Sequence, residues 1–181
     1  MTEKDKMPWK YILLKALLLQ VAFLVLHYAY DFFPNGFTRI ISGTSEAVFQ
    51  HMKIGFNSLA LVNLVEFLIK RKKVDRPANF GFARIASTMF YCWPMFILFF
   101  TPPAYYGKYP NDLVEIISAN IILYLTSLSA LIFENQLERI HITKAFRVVI
   151  AALALIFISL LVIYSFHNPW FDVFTIPPGW E

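Results

Sequence analysis

The sequence predicts an all-α fold, a five-transmembrane-helix bundle that forms a single integral membrane domain over residues 1–181. Composition gives the first reason: 58% of the residues are hydrophobic and 15% are charged, whereas about a quarter are charged in soluble domains. The second reason is that five apolar segments are each near the ~20 residues needed to cross a bilayer. We predict these helices at residues 11–33, 46–69, 80–100, 113–133 and 148–166.

The connectors between the segments give the third reason, because they are short and rich in turn-forming residues. Pro34-Asn35-Gly36 follows the first helix, Asp75-Arg76-Pro77 follows the second, and a stretch beginning Thr101-Pro102-Pro103 follows the third.

The N-terminus resembles a signal peptide, but no small-x-small cleavage site follows its apolar run, so we expect a retained first helix. Pro94 lies inside the third helix and predicts a kink there. The fifth apolar segment is the least interrupted.

The distribution of basic residues predicts how the bundle is oriented. Thirteen of the sixteen Lys and Arg residues fall at the N-terminus, around the connector between helices two and three, or between helices four and five. The positive-inside rule then places the N-terminus in the cytoplasm and the C-terminus outside, in a multi-pass protein of the cell membrane. We interpret the basic runs as contacts with the lipid bilayer and expect no nucleic-acid partner.

The start of the second helix is unusually polar for a membrane segment. Ser45 suits an N-cap, and Glu46 in the first turn suits the positive end of the helix dipole. At 3.6 residues per turn, a stripe forms from Glu46, Gln50, Lys53 and Asn57. His51 lies on an adjacent face, about 100° around the helix. Ionisable groups in a membrane helix are costly and indicate function by default.

A matching set of polar residues lies on the first helix, which runs in the opposite direction. His27 and Asp31 share one of its faces, so His27 lies level with His51 and Asp31 lies level with Glu46. Helical spacing and topology therefore predict a polar pocket between the two helices, near the outer surface. We assign the candidate catalytic residues as His27, Asp31, Glu46, His51 and Lys53.

Two chemistries fit such a pocket. In the first, His27 or His51 accepts a proton, Asp31 or Glu46 orients the imidazole, and Lys53 holds an anion. In the second, the two histidines and two carboxylates bind zinc or another divalent ion. A nearby lysine would repel a cation, and the chain has one cysteine, Cys92, so we assign no metal ligand and name no cofactor. The structural alternative is that Lys53 extends outward to pair with Glu46 or Asp31.

The segment Glu46-Ala-Val-Phe-Gln-His51-Met-Lys53-Ile resembles the signature of an uncharacterised family of small prokaryotic integral membrane proteins. Its members carry a motif like Asn-Glu-Ser-Val-Trp-Glu-His-Leu-Lys at this place, and a first-helix His followed by Tyr and an acidic residue, similar to His27, Tyr28 and Asp31. The resemblance covers roughly residues 20–60. The sequence departs from the motif at Ser45, Phe49 and Gln50, where Asn, Trp and Glu are expected. The resemblance supports the pocket residues and implies no substrate.

The sequence thus predicts a polar site near the outer leaflet that binds a small or lipid-like ligand and supports acid–base chemistry. Whether the protein is an enzyme stays open at this point. The alternative is a non-enzymatic protein, either a small transporter or a partner subunit of a membrane complex. A transporter should carry polar groups across the midplane, and Asn63 and Glu66 offer only a thin continuation of this kind.

Overall fold

The computed structural model describes residues 8–176, and every regular element in that range is helical. Five helical segments are long and apolar enough to cross a membrane, so the chain is a multi-pass membrane protein. The elements are α1 (Trp9–Phe32), α2 (Gly36–Ile41), α3 (Val48–Lys70), α4 (Pro77–Phe90), α5 (Cys92–Tyr106), α6 (Asp112–Arg139), α7 (Lys144–Phe166) and a 3₁₀ turn, Asp172–Phe174. Outside the described residues lie the basic residues Lys4 and Lys6 and the C-terminal aromatic segment Pro177-Pro-Gly-Trp180.

The third span consists of two helices, α4 and α5, that continue one into the other over Pro77–Tyr106. They meet at Tyr91, whose backbone N–H donates to the carbonyl of Ser87 over 3.0 Å. Pro94 has no N–H to donate to the carbonyl of Phe90, and its ring crowds that carbonyl, so the predicted break is confirmed. The predicted end of this helix at residue 100 is wrong, because α5 includes Pro102 and Pro103.

Helix α5 instead ends at a glycine that the sequence analysis did not single out. Gly107 has φ +70°, a conformation that favours glycine, and its N–H donates to the carbonyl of Pro103. The helix therefore closes one turn beyond the two prolines. Thr101 contributes within the helix, where its hydroxyl donates to the carbonyl of Ile97 over 2.7 Å.

The start of α3 also differs from the prediction. The helix begins at Val48, with Ala47 at its N-cap and no side chain capping it. Ser45 is therefore not an N-cap, and Glu46 lies before the helix rather than in its first turn. The chain places its capping residue earlier, at Asn35, whose side chain accepts hydrogen bonds from the backbone N–H groups of Phe37 and Thr38.

That cap begins α2, a six-residue helix that the sequence analysis treated as part of a connector. Asn35 and Thr38 form a reciprocal capping box, in which the Thr38 hydroxyl accepts from the Asn35 backbone N–H over 3.1 Å. Helix α2 lies between the end of α1 and the start of α3 and contacts α1, α3 and α7. It therefore brings backbone groups against the polar start of α3.

The bundle packs around α1, α3 and α6. Helix α1 lies against α3 and α6, α4 lies against α6, and α7 lies on the outside against α4 and α2. The core includes Leu19, Ile54, Leu59 and Leu131, while most large apolar side chains of α7 remain exposed, as a lipid-facing helix requires. Two helices approach each other closely at Gly55, where an added Cβ would lie 2.1 Å from Cε1 of the buried Tyr91.

Candidate functional site

Three polar side chains from separate parts of the chain meet where α1 ends and α3 begins. They are His27 of α1, Glu46 of the α2–α3 connector and His51 of α3. One ligand atom from each lies within 4.8 Å of the other two. Glu46 Oε2 is 3.3 Å from His51 Nε2 and 3.8 Å from His27 Nε2, and the two imidazole centroids are 5.4 Å apart. We call these residues the histidine cluster, and this end of the bundle the histidine end.

The connector between α2 and α3 is tied to α1 close to the cluster. The buried Ser42 hydroxyl donates to the carbonyl of Leu26 and accepts from the backbone N–H of Tyr30 over 3.1 Å. Leu26 directly precedes His27 on α1, and Tyr30 follows it by three residues. Ser42 therefore fixes where the connector passes His27, and hence where Glu46 can reach it.

The tautomer of His51 follows from its second ring nitrogen. Nδ1 lies 3.2 Å from the carbonyl oxygen of Ala47, and that hydrogen bond requires the ring proton to be on Nδ1. In the neutral ring, Nε2 then directs a lone pair at the Glu46 carboxylate. Two acceptors at 3.3 Å repel each other unless a proton or a metal ion lies between them.

The site is open on one side and apolar on the other. The Glu46 side chain is 66% exposed, whereas the His27 and His51 side chains are 21% and 12% exposed. The His51 ring packs against Phe99 and Phe23, with centroids 5.5 Å and 6.3 Å away. When His51 Nε2 also carries a proton, its hydrogen bond to Glu46 holds the pKa of the Glu46 carboxyl below its usual value, against the opposing effect of partial burial.

Lys53 is not part of the histidine cluster, although the sequence analysis placed it there as an anion-binding residue. Its Nζ is buried and donates to the carbonyl of Arg39 over 2.8 Å and to the hydroxyl of Ser165 over 3.3 Å. The predicted pairing of Lys53 with Glu46 or Asp31 is therefore wrong. The charged end of Lys53 is thus bound to α2 and α7 rather than to the cluster.

The rest of the polar stripe serves the end of α2. The Asn57 amide donates to the carbonyls of Ile40 and Ile41, over 3.2 Å and 3.3 Å. Together with Lys53 it satisfies carbonyls that the last turn of a helix leaves without partners. Gln50 is buried, and its Oε1 lies 3.4 Å from the backbone nitrogen of Thr44. Three of the four stripe residues thus hold α2 and its connector in place.

Asp31 lies one turn beyond His27 on α1, with an exposed side chain, and is not among the three convergent residues. Asp112 and Glu115 are exposed in the first turn of α6. His167 follows α7 and is exposed as well. The structure therefore brings together three of the five candidate catalytic residues, His27, Glu46 and His51.

A second polar group, which the sequence analysis missed, lies buried toward the opposite end of the bundle. Lys15 Nζ is 2.5 Å from both Glu66 Oε2 and Glu134 Oε1, and Arg84 Nη2 is 2.9 Å from Glu66 Oε2. We call it the buried ionic network, with members Lys15, Glu66, Lys70, Arg84, Glu134 and Glu138. It contains three cations and three carboxylates and connects α1, α3, α4 and α6.

Lys15 and Arg84 are among the basic residues from which the topology is predicted. Both side chains are almost fully buried, 2% and 3% exposed. The sequence feature that could have indicated the buried ionic network is Lys15, a cation inside the apolar run of the first helix. The predicted fourth helix also ended one residue short of Glu134, which lies inside α6 and is fully buried. Glu66 and Asn63 are therefore part of a larger polar region rather than a thin continuation.

Compared with known proteins, the chain matches no family model, no curated protein and no solved structure. The resemblance of the segment Glu46–Lys53 to a family of small prokaryotic membrane proteins accordingly stays a prediction.

Proposed function

We propose that His27, Glu46 and His51 bind a divalent transition-metal ion such as Zn²⁺. One observation carries the proposal: two imidazole nitrogens and a carboxylate oxygen converge, each within 4.8 Å of the other two. A proton bridges two such atoms at a time, whereas a metal ion binds all three. Imidazole nitrogen and carboxylate oxygen are both common zinc ligands.

The two separations that involve Glu46 are close to those of a tetrahedral arrangement. Zinc–nitrogen and zinc–oxygen bonds are about 2.0–2.2 Å long, so two ligands at tetrahedral angles lie about 3.3–3.6 Å apart. The distances from Glu46 Oε2 to the two Nε2 atoms are 3.3 Å and 3.8 Å. Small side-chain adjustments therefore bring both nitrogens and the oxygen to bonding distance. The hydrogen bond from His51 Nδ1 to Ala47 resembles the contacts that orient metal-binding histidines.

Three protein ligands leave a fourth position for water or for a ligand. The exposure of Glu46 places that position on the open side of the site. Zinc polarises a bound carbonyl or phosphoryl oxygen and lowers the pKa of bound water to about 7. A small or lipid-like molecule with such an oxygen is the ligand we propose. Because most basic residues lie toward the opposite end, we also propose that the site faces the outside of a prokaryotic cell membrane.

A metal-free site is the second candidate, and the contact between His51 and Glu46 favours it. Protonated on both nitrogens, His51 would donate to Ala47 and to Glu46 at once. His27 would then be the second base, facing the same carboxylate. This is the acid–base chemistry that the sequence predicts, without Asp31 or Lys53.

A small transporter is the competing function, and the buried ionic network favours it. Charged residues in both halves of the bundle are what a polar pathway across the membrane requires. The network is balanced and its members pair with one another, which also suits a purely structural role. Metal flux into proteoliposomes would distinguish transport from a one-sided site.

Metal binding can be tested with purified protein in detergent. We expect one zinc per chain by elemental analysis after dialysis against a weak chelator. His51→Ala and His27→Ala should each weaken zinc binding at least about tenfold, the loss typical of even an outer-shell change. His167→Ala is the matched control and should bind zinc normally. Equal zinc binding in wild type and all three variants would refute the proposal.

A further inference from the structure

A cavity of about 320 Å³ lies between α3, α4 and α7, away from the histidine cluster. Its wall is almost entirely apolar and includes Phe56, Ala154 and Ile158. The polar residues Asn63, Arg84 and Thr88 also line it. Small-molecule sites commonly have this composition, with an apolar wall and a few polar groups. The volume is at the lower end of the range for such sites, about 300–1,000 Å³.

Asn63 lines this cavity and carries an unpaired acceptor. The residue is 4% exposed, and its Oδ1 is buried without a hydrogen-bond partner among the described residues. Its Nδ2 lies 3.2 Å from the Thr88 hydroxyl and 3.4 Å from the carbonyl of Arg84. Buried polar atoms are nearly always hydrogen-bonded, so an unpaired amide oxygen beside a cavity points to a missing donor.

The surrounding hydrogen bonds fix which end of the amide carries the oxygen. The Thr88 hydroxyl donates to the carbonyl of Arg84. The Ser87 hydroxyl lies within hydrogen-bond distance of two acceptors, that same carbonyl and the carboxylate of Glu134. A flipped amide would direct its oxygen at the Arg84 carbonyl and at hydroxyls whose protons are already used. The unflipped amide donates there and leaves Oδ1 free.

The cavity opens sideways, toward the lipid-facing surface of the bundle. Leu64, Ile85 and Ile158 line it and are 54%, 40% and 47% exposed. A ligand can therefore enter from the hydrocarbon layer without crossing the bundle. A buried water needs two to four polar partners, and the free oxygen of Asn63 offers one, so an apolar molecule with its own donor suits the cavity better.

We propose that this cavity binds a membrane-dissolved molecule with an apolar body and a single hydroxyl group, which donates its hydrogen bond to Asn63 Oδ1. Long-chain alcohols, including hydroxyl-bearing lipids, are the ligand class. The apolar wall takes the chain, and Asn63 distinguishes a hydroxyl from an ether or a methyl group. This binding does not depend on the histidine cluster or on any metal.

The test uses the full chain in nanodiscs, with labelled 1-dodecanol as the probe and empty nanodiscs as background. We expect one saturable site, for which unlabelled dodecyl methyl ether competes about three- to tenfold less well than unlabelled dodecanol, the effect of about one hydrogen bond. Ala154→Phe should fill the cavity and abolish saturable binding. Leu155→Phe, at a neighbouring exposed position of α7, should leave it unchanged.

Asn63→Leu should remove the preference for the alcohol while retaining binding of the chain. Should that variant fail to fold, the comparison of alcohol with ether on the wild-type protein still decides. Equal competition by the ether would show a groove that accepts acyl chains without using Asn63, and would overturn the proposal. Saturable binding that persists in Ala154→Phe, or none above empty nanodiscs, would overturn it as well.

Discussion

Glu134 is the residue whose neutralisation most directly tests the buried ionic network. Its carboxylate is fully buried, 2.5 Å from Lys15 Nζ and 3.5 Å from Arg84 Nη2, and it accepts a hydrogen bond from Ser87 over 2.8 Å. Glu134→Gln keeps the size and an acceptor oxygen but leaves three cations, of which Lys15 and Arg84 are buried, against two carboxylates. The variant thus isolates the effect of charge from that of packing.

The expected loss follows from that imbalance. Removing one partner of a buried ion pair costs about 3–5 kcal/mol, because the other charge is left uncompensated. Since Gln can still accept from Ser87, we expect the lower part of the range, about 3 kcal/mol, or roughly a hundredfold in the unfolding equilibrium constant. Lys15→Met added to Glu134→Gln restores the charge balance, so the double variant should be more stable than Glu134→Gln alone.

The assay is SDS-induced unfolding of the purified protein, followed by circular dichroism. Glu115→Gln is the matched control, because Glu115 is exposed in the first turn of the same helix; it should change the free energy of unfolding by less than about 0.5 kcal/mol. A Glu134→Gln variant as stable as that control would refute the network's structural role. So would a double variant whose loss equals the sum of the two single losses.

Three further predictions concern the histidine end and the contact between Gly55 and Tyr91. Gly55→Ala should cost about 1–3 kcal/mol in thermal unfolding, because its Cβ would overlap the buried Tyr91 ring; Gly36→Ala, which meets nothing within 4 Å, should cost nothing, and equal effects would contradict the packing. Lys53→Met should cost about 1–3 kcal/mol through lost hydrogen bonds to α2 and α7 while zinc affinity stays within twofold, and a loss of zinc would show that Lys53 belongs to the site. Asp31→Asn should leave one zinc per chain in elemental analysis, because Asp31 is outside the cluster; loss of the metal would make it a ligand.

Much of the architecture follows from local patterns in the sequence. The five spans are confirmed because twenty-residue apolar runs have few alternatives in a membrane. The break near Pro94 is confirmed because a missing backbone donor acts within one turn. The approach of His27 to His51 was also predictable, since both residues lie about one turn from the ends of consecutive antiparallel helices.

The division of the polar stripe was not predictable in the same way. Helical periodicity puts Glu46 and Lys53 on one face only if the helix already includes Glu46, and α3 begins at Val48. Glu46 is therefore free to turn toward the histidines, while Lys53 faces α2. The partners of Lys53 are one backbone carbonyl of a short helix and the hydroxyl of Ser165 on α7, and neither leaves a mark in the side-chain spacing of α3.

The buried ionic network was missed because its pairs are far apart in sequence. Lys15 and Glu134 are 119 residues apart, and their contact depends on how α1 packs against α6. Each charge taken alone looks like a residue near a helix end, where basic residues usually set topology. Only the packing of four helices shows that these charges point inward.

The central claim is that His27, Glu46 and His51 hold one metal ion together. X-ray absorption spectroscopy of the zinc-loaded protein tests it most directly, because it reports the ligands around the metal. The structure predicts two imidazole nitrogens at about 2.0–2.1 Å and oxygen ligands in the remaining positions, with one imidazole signal lost in His51→Ala. A zinc spectrum without an imidazole contribution, or one that His51→Ala leaves unchanged, would contradict metal binding by the histidine cluster.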